Sequence, residues 1–271
     1  MVDAAAGRRR GLKLAGRLAL VVTILGMAGV SVWLLASTTL RASSTATPEI
    51  PALAVTAAPV EPGSVIPAAP AGPQPQAGAA GTDPLRAWAS RIAGATRIPA
   101  RALMAYGNAE LAVRSMTPGC HVSWTTLAGI GRVESNHGQF NGATLGEDGR
   151  SSHPIVGVPL DGSAGTRAIP DTDGGALDGD PGVDRAVGPM QFIPSTWRKW
   201  ATDANLDGRA DPHQIDDAAL AAARYLCAGG RNLATADGWW AAVFSYNNSV
   251  PYGQKVFGLA DSYARTASQT G

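Results

Sequence analysis

The segment SWTTLAGIGRVESNHGQF, residues 123–140, carries the signals of one complete α-helix. Ser123 belongs to the residue types that cap helix N-termini. Apolar residues then recur at helical spacing. Ser135, Asn136 and Gly138 follow, and residues of these types commonly end a helix. The sequence therefore predicts a helix that begins beside Ser123 and ends near Ser135.

Glu134 is an acid on the apolar face of this predicted helix. At about 100° per residue, it falls between Leu127 and Ile130 on the helical wheel. We therefore expect its carboxyl to face the interior or the wall of a cleft, beside the negative end of the helix dipole. Loss of hydration and that dipole both raise a carboxyl pKa, as a general acid requires. The alternative is an ion pair with Arg132 or another cation.

The rest of residues 83–271 also predicts mostly helix. Pro84 follows the capping residue Asp83 and opens a helix to about residue 95, and Pro99 opens another to about residue 114. Further helices are predicted from Pro194 and over residues 218–227, and residues 239–246 are a last long apolar stretch. We therefore expect one domain of the mainly α (α+β) class.

Residues 141–184 are rich in Gly and Asp and predict a long loop within this domain. At most a short hairpin is expected, between residues 155–158 and 166–169. Loops of this length in a compact domain are usually functional or mobile. Six acids lie between Asp161 and Asp184. A solvated acidic loop is the simplest interpretation, and metal binding is the alternative.

The N-terminal region has the composition of a membrane anchor. Residues 1–17 carry five cations and one acid, and residues 18–36 carry no charge. At about 1.5 Å per residue this run is roughly as long as a bilayer core is thick. We expect a cytoplasmic basic tail (1–17) and a transmembrane signal-anchor (18–40), with everything beyond on the cell-wall side of the cell membrane. The alternative is a cleaved signal peptide.

Residues 41–82 form a Pro/Ala-rich linker by composition, and the domain of residues 83–271 follows. That domain contains 16 basic and 18 acidic residues, so no general attraction to nucleic acid is indicated. It also contains both cysteines of the chain, Cys120 and Cys227. In an exported protein such a pair predicts a disulfide. The alternative is two small buried residues.

The segment DANLDGRADPHQIDD, residues 203–217, resembles the start of an EF-hand calcium loop. Gln214 stands at position 12, where an EF-hand has a bidentate Glu, so Asp216 or Asp217 would have to close a longer loop. We expect a structural Ca²⁺ here; the alternative is a loop of side-chain turns that binds no ion. The residues at loop positions 1, 3 and 5 are Asp203, Asn205 and Asp207, and Gly208 stands at position 6. Arg209 at position 7 supplies a main-chain carbonyl.

Two further stretches place polar side chains among apolar ones. AVGPMQFIPSTWRKW, residues 186–200, contains Met190 and Gln191, and SYNNSVPYG, residues 245–253, contains Tyr246-Asn247. Core packing would explain the apolar and aromatic residues equally well. The chain has no Gly-x-Ser-x-Gly elbow, no phosphate-binding Gly-rich loop and no His-Glu-x-x-His.

Four motifs in this order resemble the lytic murein transglycosylases, close to the membrane-anchored B-type forms of actinobacteria. They are Glu134-Ser135 at a helix end, the stretch AVGPMQFIPSTW, the loop 203–217 and the stretch SYNNSVPYG. The resemblance implies a lysozyme-like fold with an EF-hand-like loop. It also implies cleavage of the β-1,4 bond between N-acetylmuramic acid and N-acetylglucosamine in peptidoglycan glycan strands.

By matching position, the resemblance makes Glu134 the catalytic acid and Asp217 the closing calcium ligand. The glycan cleft would be lined by Ser135, Met190, Gln191, Tyr246 and Asn247. One carboxyl suffices for this chemistry, because the C6 hydroxyl of the muramic acid attacks in place of water. Most other glycosidases need two carboxyl groups. The competing hypotheses are a hydrolytic muramidase and an inactive, calcium-stabilised module that binds the cell wall.

Overall fold

The computed structural model describes residues 84–163 and 166–270. The basic tail, the expected anchor at residues 18–40 and the linker at residues 41–82 lie outside the described residues. Of the helices in the described part of the chain, none combines the length and hydropathy needed to cross a bilayer.

Seven α-helices and one two-stranded antiparallel sheet make up the described part, so the expected mainly α class is confirmed. Short 3₁₀ turns lie at Phe140–Gly142 and Ala228–Gly230. The elements are α1 (Pro84–Thr96), α2 (Ala100–Met116), α3 (Trp124–Ser135), β1 (Val156–Pro159), β2 (Arg185–Val187), α4 (Pro194–Trp200), α5 (Ile215–Leu226), α6 (Ala236–Tyr246) and α7 (Val250–Ser268).

The helix α3 begins and ends where the sequence predicted. The Ser123 side chain accepts a hydrogen bond from the backbone N–H of Thr126, as an N-cap does. Asn136 adopts the left-handed conformation (φ 55°) that ends many helices. Between these caps most residues are buried, and the indole of Trp239 on α6 donates to the Thr126 hydroxyl at 3.0 Å.

Helices α5, α6 and α7 differ from the prediction. Helix α6 (Ala236–Tyr246) includes the apolar stretch of residues 239–246, for which no helix was predicted. Helix α5 starts at Ile215 rather than near residue 218, because the Gln214 side chain caps it by accepting from the N–H groups of Asp216 and Asp217. Helix α7 was not predicted at all. It is capped by the Ser249 hydroxyl and buries one face over five turns.

Close backbone contact joins α3 to α7. A Cβ at position 129 would lie 2.9 Å from the carbonyl oxygen of Val256 and 3.3 Å from its Cγ1. Gly129 is therefore required for the approach of the two helices. This approach sets the distance between the end of α3, which carries Glu134, and the start of α7.

The predicted hairpin between residues 155–158 and 166–169 is wrong in its second strand. β1 pairs instead with β2, with Val156 opposite Val187 and Pro159 opposite Arg185. The Ile169 N–H donates to the Leu160 carbonyl at 2.7 Å, and the Ile169 carbonyl accepts from the Asp184 N–H at 3.1 Å. Ile169 therefore bridges the ends of the two strands. Pro170 follows at once and has no N–H with which to extend a ladder.

The expected disulfide is present between Cys120, before α3, and Cys227, at the end of α5. Their Cα atoms are 5.4 Å apart and both residues are buried. Since the bond joins residues separated by 107 positions, it removes many conformations from the unfolded chain.

We predict that Gly129→Ala lowers the free energy of unfolding by about 1–3 kcal/mol, because the added methyl group meets the backbone of Val256. The matched control is Gly94→Ala in α1, where a Cβ meets nothing within 4 Å. That control should be neutral or slightly stabilising, since Ala favours helix over Gly. Urea unfolding of both variants measures the difference. Equal stability of the two variants would contradict the inferred α3–α7 contact.

Candidate active site

Glu134 lies in the last turn of α3 with its carboxyl mostly removed from water. The Tyr252 hydroxyl of α7 donates a hydrogen bond to Glu134 Oε1 at 2.5 Å. Burial raises the pKa of Glu134 to about 7, and the hydrogen bond from Tyr252 opposes this by favouring the charged form. Within the described residues, no ion pair joins Glu134 to Arg132 or to another cation. The expected direction of the pKa shift therefore follows from burial.

The chain beyond Glu134 is anchored by a buried histidine. His137 is 2 % exposed, with the Tyr106 hydroxyl 3.2 Å from Nδ1 and the Tyr263 hydroxyl 3.4 Å from Nε2. Burial, helped by the charge of Arg132, lowers the pKa of His137 to about 3. This ring is therefore neutral and ties the end of α3 to α2 and α7.

Ser135, an expected cleft residue, is instead a buried link to another segment. It is 1 % exposed. Its hydroxyl donates to the carbonyl of Pro189 at 2.6 Å and accepts from the N–H of Gly138 at 2.7 Å. The side chain thus fastens the end of α3 to the turn at residues 188–191, and a contact between Ser135 and the sugar stays a prediction.

The turn at residues 188–191 is packed too tightly for a side chain at its first position. A Cβ at Gly188 would lie 1.8 Å from the Pro212 carbonyl oxygen, and Gly188 has a φ of 77°. The Met190 side chain is fully buried, and its contact with the glycan stays a prediction. Its carbonyl accepts a 2.6 Å hydrogen bond from the Tyr246 hydroxyl. Met190 therefore positions Tyr246 through its main chain.

Gln191 and Tyr246 meet at an open cleft of about 230 Å³. The Gln191 amide nitrogen donates to the Gly188 carbonyl at 3.0 Å, which holds the side chain at the rim. The cleft combines apolar ring faces with amide and hydroxyl groups, as sugar-binding sites require. Its lining consists of Gln191, Phe192, Ile193, Thr196, Tyr225, Ser245 and Tyr246.

The charge of Glu134 acts on Tyr246, so this cleft lies near Glu134. Burial raises the pKa of Tyr246 well above its ordinary value, and the charge of Glu134 raises it further. Asn247 follows at the C-cap of α6 and is exposed, outside the lining of the cleft. The structure therefore brings together Glu134, Gln191 and Tyr246 from the predicted set.

Tyr252 is the site residue that sequence reasoning missed. Its signal was available, because Ser249 is a capping type and Pro251 belongs in a first helical turn. These two residues predict a helix from residue 250, with Tyr252 in its first turn. Only the packing of α7 on α3, however, brings its hydroxyl to Glu134.

The loop at residues 203–217 has side-chain oxygens turned toward its own backbone. Asp203 accepts from the N–H groups of Asp207 and Gly208, and Asn205 accepts from Asp207. Asp207 accepts from the N–H of Arg209. Carboxylate and amide oxygens of this kind are the ligands that Ca²⁺ prefers, so the donor set fits the ion.

Asp217 is the acid that closes the loop from α5. It is fully buried and accepts N–H bonds from Ala204, Asn205 and Asp211. Burial raises the pKa of Asp217 to about 6, and the charge of Asp203 adds to the effect. Asp216 is used elsewhere, in an ion pair with Arg101, so Asp217 rather than Asp216 faces the loop.

A second group of acids lies in the long loop. Ligand oxygens of Asp171, Asp173 and Asp184 lie within 4.8 Å of one another, the arrangement that the metal-binding alternative for this loop requires. These carboxylates already accept hydrogen bonds from the loop, for example from Thr172 to Asp184 and from Gly174 to Asp171. Such bonds also explain the cluster without an ion.

Comparison with known proteins adds one match. Residues 183–243 match the family model of the transglycosylase SLT domain. No curated protein and no solved structure matches the chain. The matched residues run from the end of the acidic loop to α6 and include Gln191 but not Glu134. The match supports a lysozyme-like domain of the transglycosylase type, which cleaves glycosidic bonds of peptidoglycan.

With Glu134 as the predicted general acid, we predict that glycan cleavage falls as the pH rises through about 7, because only the protonated carboxyl can donate. Tyr252→Phe removes a hydrogen bond that favours the charged form, so the pKa of Glu134 rises. A hydrogen bond to a charged group is worth about 1.5–3 kcal/mol, and the alkaline limb should move up by about one pH unit or more. The measurement is kcat/KM against pH.

Tyr263→Phe is the matched control. It removes a hydroxyl from the same helix, but one that faces His137 rather than Glu134. The alkaline limb of its kcat/KM profile should lie at the same pH as that of the unmodified protein. If both variants shift the limb equally, the change comes from general loosening of α7 and not from the hydrogen bond to Glu134.

Proposed function

We propose that the protein is a B-type lytic transglycosylase of peptidoglycan that leaves 1,6-anhydro-N-acetylmuramic acid ends and serves in cell-wall remodelling. The observation that carries the proposal is the largely desolvated carboxyl of Glu134, whose charge acts on Tyr246 of the cleft. Its pKa of about 7 keeps a large share protonated at neutral pH. A general acid works best when its pKa lies near the working pH.

In the proposed reaction Glu134 acts first as acid and then as base. Its carboxyl gives a proton to the glycosidic oxygen, and the bond from that oxygen to C1 of the muramic acid breaks. The C6 hydroxyl of the same sugar attacks C1, assisted by the 2-acetamido group, and returns its proton to Glu134. The glucosamine leaves with a free O4 hydroxyl, and the muramic acid ends in a 1,6-anhydro ring.

A single acid is sufficient for this sequence of steps. Burial and Tyr252 set the pKa of Glu134, and within residues 84–163 and 166–270 no other carboxyl group contributes to it. Most other glycosidases use a second carboxyl group as nucleophile or to activate water. The proposed steps need none, because the attacking group is the sugar's own hydroxyl.

The cleft residues have separate proposed roles. The Gln191 amide would orient an acetamido or hydroxyl group of the sugar at the rim. Tyr246 would present its ring, because its hydroxyl is already bonded to the carbonyl of Met190. Asn247 would contact the glycan outside the cavity, where its side chain is exposed. Ring faces and hydrogen-bonding groups together suit a saccharide, which has apolar faces and polar edges.

We predict that Glu134→Gln reduces release of 1,6-anhydro ends by at least about a thousandfold, because the only proposed acid is lost. Full-length protein is incubated with purified peptidoglycan, and mass spectrometry identifies the ends. The matched control is Glu147→Gln, which changes an acid whose side chain is 83 % exposed. Thermal unfolding shows that both variants remain folded.

Each other outcome of this experiment assigns a different function. Reducing ends in place of anhydro ends would indicate a hydrolytic muramidase with a second carboxylate. Binding of peptidoglycan without any fragments would indicate an inactive wall-binding module. Full turnover by Glu134→Gln would reject the assignment of the acid.

We also propose a structural Ca²⁺ held by the loop of residues 203–217. The side chains of Asp203, Asn205, Asp207 and Asp217, with the carbonyl of Arg209, would hold the ion. Bound there, it would join the loop to the start of α5 through Asp217. The support is the oxygen donor set and its turn geometry.

Saturating Ca²⁺ should raise the unfolding temperature by about 5 °C or more over a sample with chelator, since ligand binding to the folded state stabilises it. Asp203→Asn should abolish most of this shift. Asp171→Asn, in the other acidic loop, should leave it unchanged and serves as the control. If neither Ca²⁺ nor chelator changes the unfolding temperature, the proposed calcium site is wrong.

We propose, from the sequence of residues 1–82 alone, that the domain is held at the cell membrane on its cell-wall side. The uncharged run of residues 18–36 and the cations before it support an anchor, and the Pro/Ala-rich linker would give the domain reach into the wall. Its partners would be the membrane and the glycan strands of peptidoglycan.

A further inference from the structure

Gln191, which lines the cleft, has a backbone conformation that residues with a side chain seldom adopt. Its φ is 49°, in the left-handed region. The turn that imposes this conformation is closed by two hydrogen bonds of 2.9 Å, one from the Val187 N–H to the Phe192 carbonyl and one in the reverse direction. Strain of this kind persists only where the surrounding structure enforces it. The starting point of the Gln191 side chain is therefore fixed.

The Gln191 amide is held between two backbone segments. Its nitrogen donates to the Gly188 carbonyl at 3.0 Å. Because a carbonyl can only accept, Nε2 faces Gly188 and Oε1 points away from it. On that side lies β1, where a Cβ built on Gly157 would be 2.9 Å from Oε1. The side chain makes no other hydrogen bond to the described residues, so its second N–H and its oxygen remain available to a ligand.

The backbone of β1 does not itself require a glycine at position 157. Gly157 has no positive φ, so alanine can adopt the same conformation. After Gln191 Oε1, the nearest atoms to a Cβ there belong to Ala186, at 3.4 and 3.6 Å, which is ordinary van der Waals contact. Glycine also weakens the interior of a strand relative to alanine. What glycine provides at this position is the space beside the Gln191 amide.

Hydrogen bonds hold β1 against the turn that carries Gln191. β1 and β2 pair in an antiparallel hairpin, and β2 runs directly into the turn. The Gly188 N–H donates to the Ile155 carbonyl at 2.8 Å, and Arg185 Nη1 donates to the Gly157 carbonyl at 3.3 Å. Because strand and turn are both bonded, a methyl group added to Gly157 displaces the group that moves most easily. That group is the far end of the Gln191 side chain.

We propose that Gly157 is a positioning residue for glycan recognition, because its missing side chain leaves the space in which the Gln191 amide is held at the cleft. The inference rests on the proposed function, which assigns the cleft to the glycan and the amide to its acetamido or hydroxyl groups. The hairpin is then part of the binding site although none of its side chains has to touch the sugar. Gly157→Ala turns the amide away from the sugar and leaves Glu134 in place.

The test measures glycan binding by calorimetry in full-length protein that carries Glu134→Gln, so that the probe is not cleaved. The probe is a soluble tetrasaccharide of alternating N-acetylglucosamine and N-acetylmuramic acid. Gly157→Ala should weaken binding about three- to tenfold, the effect of losing one hydrogen bond. The matched control is Gly119→Ala, outside the helices and strands, where a Cβ meets nothing within 4 Å. Its affinity should equal that of the parent protein.

A double-mutant cycle separates positioning of Gln191 from a general effect on the strand. Gln191→Ala alone should also weaken binding, and adding Gly157→Ala to it should change the affinity by less than about twofold. A loss from Gly157→Ala that persists in full when residue 191 is already changed would overturn the proposal. With Glu134 intact, Gly157→Ala should raise KM and leave the alkaline limb of the kcat/KM profile at the same pH.

Three further results would overturn the proposal. The first is unchanged affinity of Gly157→Ala. The second is unfolding of Gly157→Ala, alone or combined with Gln191→Ala, because the methyl group would then displace the strand and not the amide. The third is the absence of measurable binding of the parent protein at millimolar tetrasaccharide.

The outcome is separable from that of the proposed function, because binding and cleavage are measured independently. Release of anhydro ends by the unmodified protein, with normal glycan affinity of Gly157→Ala, would support the transglycosylase and reject the role of Gly157. Loss of affinity through Gln191, in a protein that releases no fragments, would support the role of Gly157 and reject the catalytic assignment.

Discussion

The packing of α7 against α3 is the constraint on which the rest of the site depends. Gly129 lets the two backbones approach, and the approach carries the Tyr252 hydroxyl to the carboxyl of Glu134. The same contact removes water from the acid, which raises its pKa to about 7. His137, held between Tyr106 and Tyr263, prevents the chain after the acid from moving independently of either helix.

The turn at residues 188–191 joins this pair of helices to the cleft. Ser135 bonds the carbonyl of Pro189, and Tyr246 bonds the carbonyl of Met190, so both ends of the site attach to one short segment. Buried main-chain carbonyls need hydrogen-bond partners, and here side chains from α3 and α6 supply them. The geometry between Glu134 and the cleft is therefore held by hydrogen bonds from side chains of two helices to the main chain of this turn.

Solvation separates the acids of this domain into two kinds. Glu134 has one hydrogen-bond donor and little water, so its neutral form is favoured near pH 7. Asp171 and Asp180 lie in the exposed loop and accept several N–H bonds, so their pKa values stay below the ordinary range. The same chemical group is thus partly protonated near pH 7 in one place and a fixed negative charge in the other.

The sequence by itself determined the mainly helical class, the limits of α3, the disulfide and the acid on the apolar face of α3, because caps, periodicity and cysteine number are local signals. It did not reveal the strand partner of β1 or the role of α7, nor that the Ser135 and Met190 side chains are buried. Only the tertiary structure could decide these, because each depends on which distant segment covers a group. Burial and hydrogen-bond partners are properties of packing, and a linear pattern of residue types does not contain them.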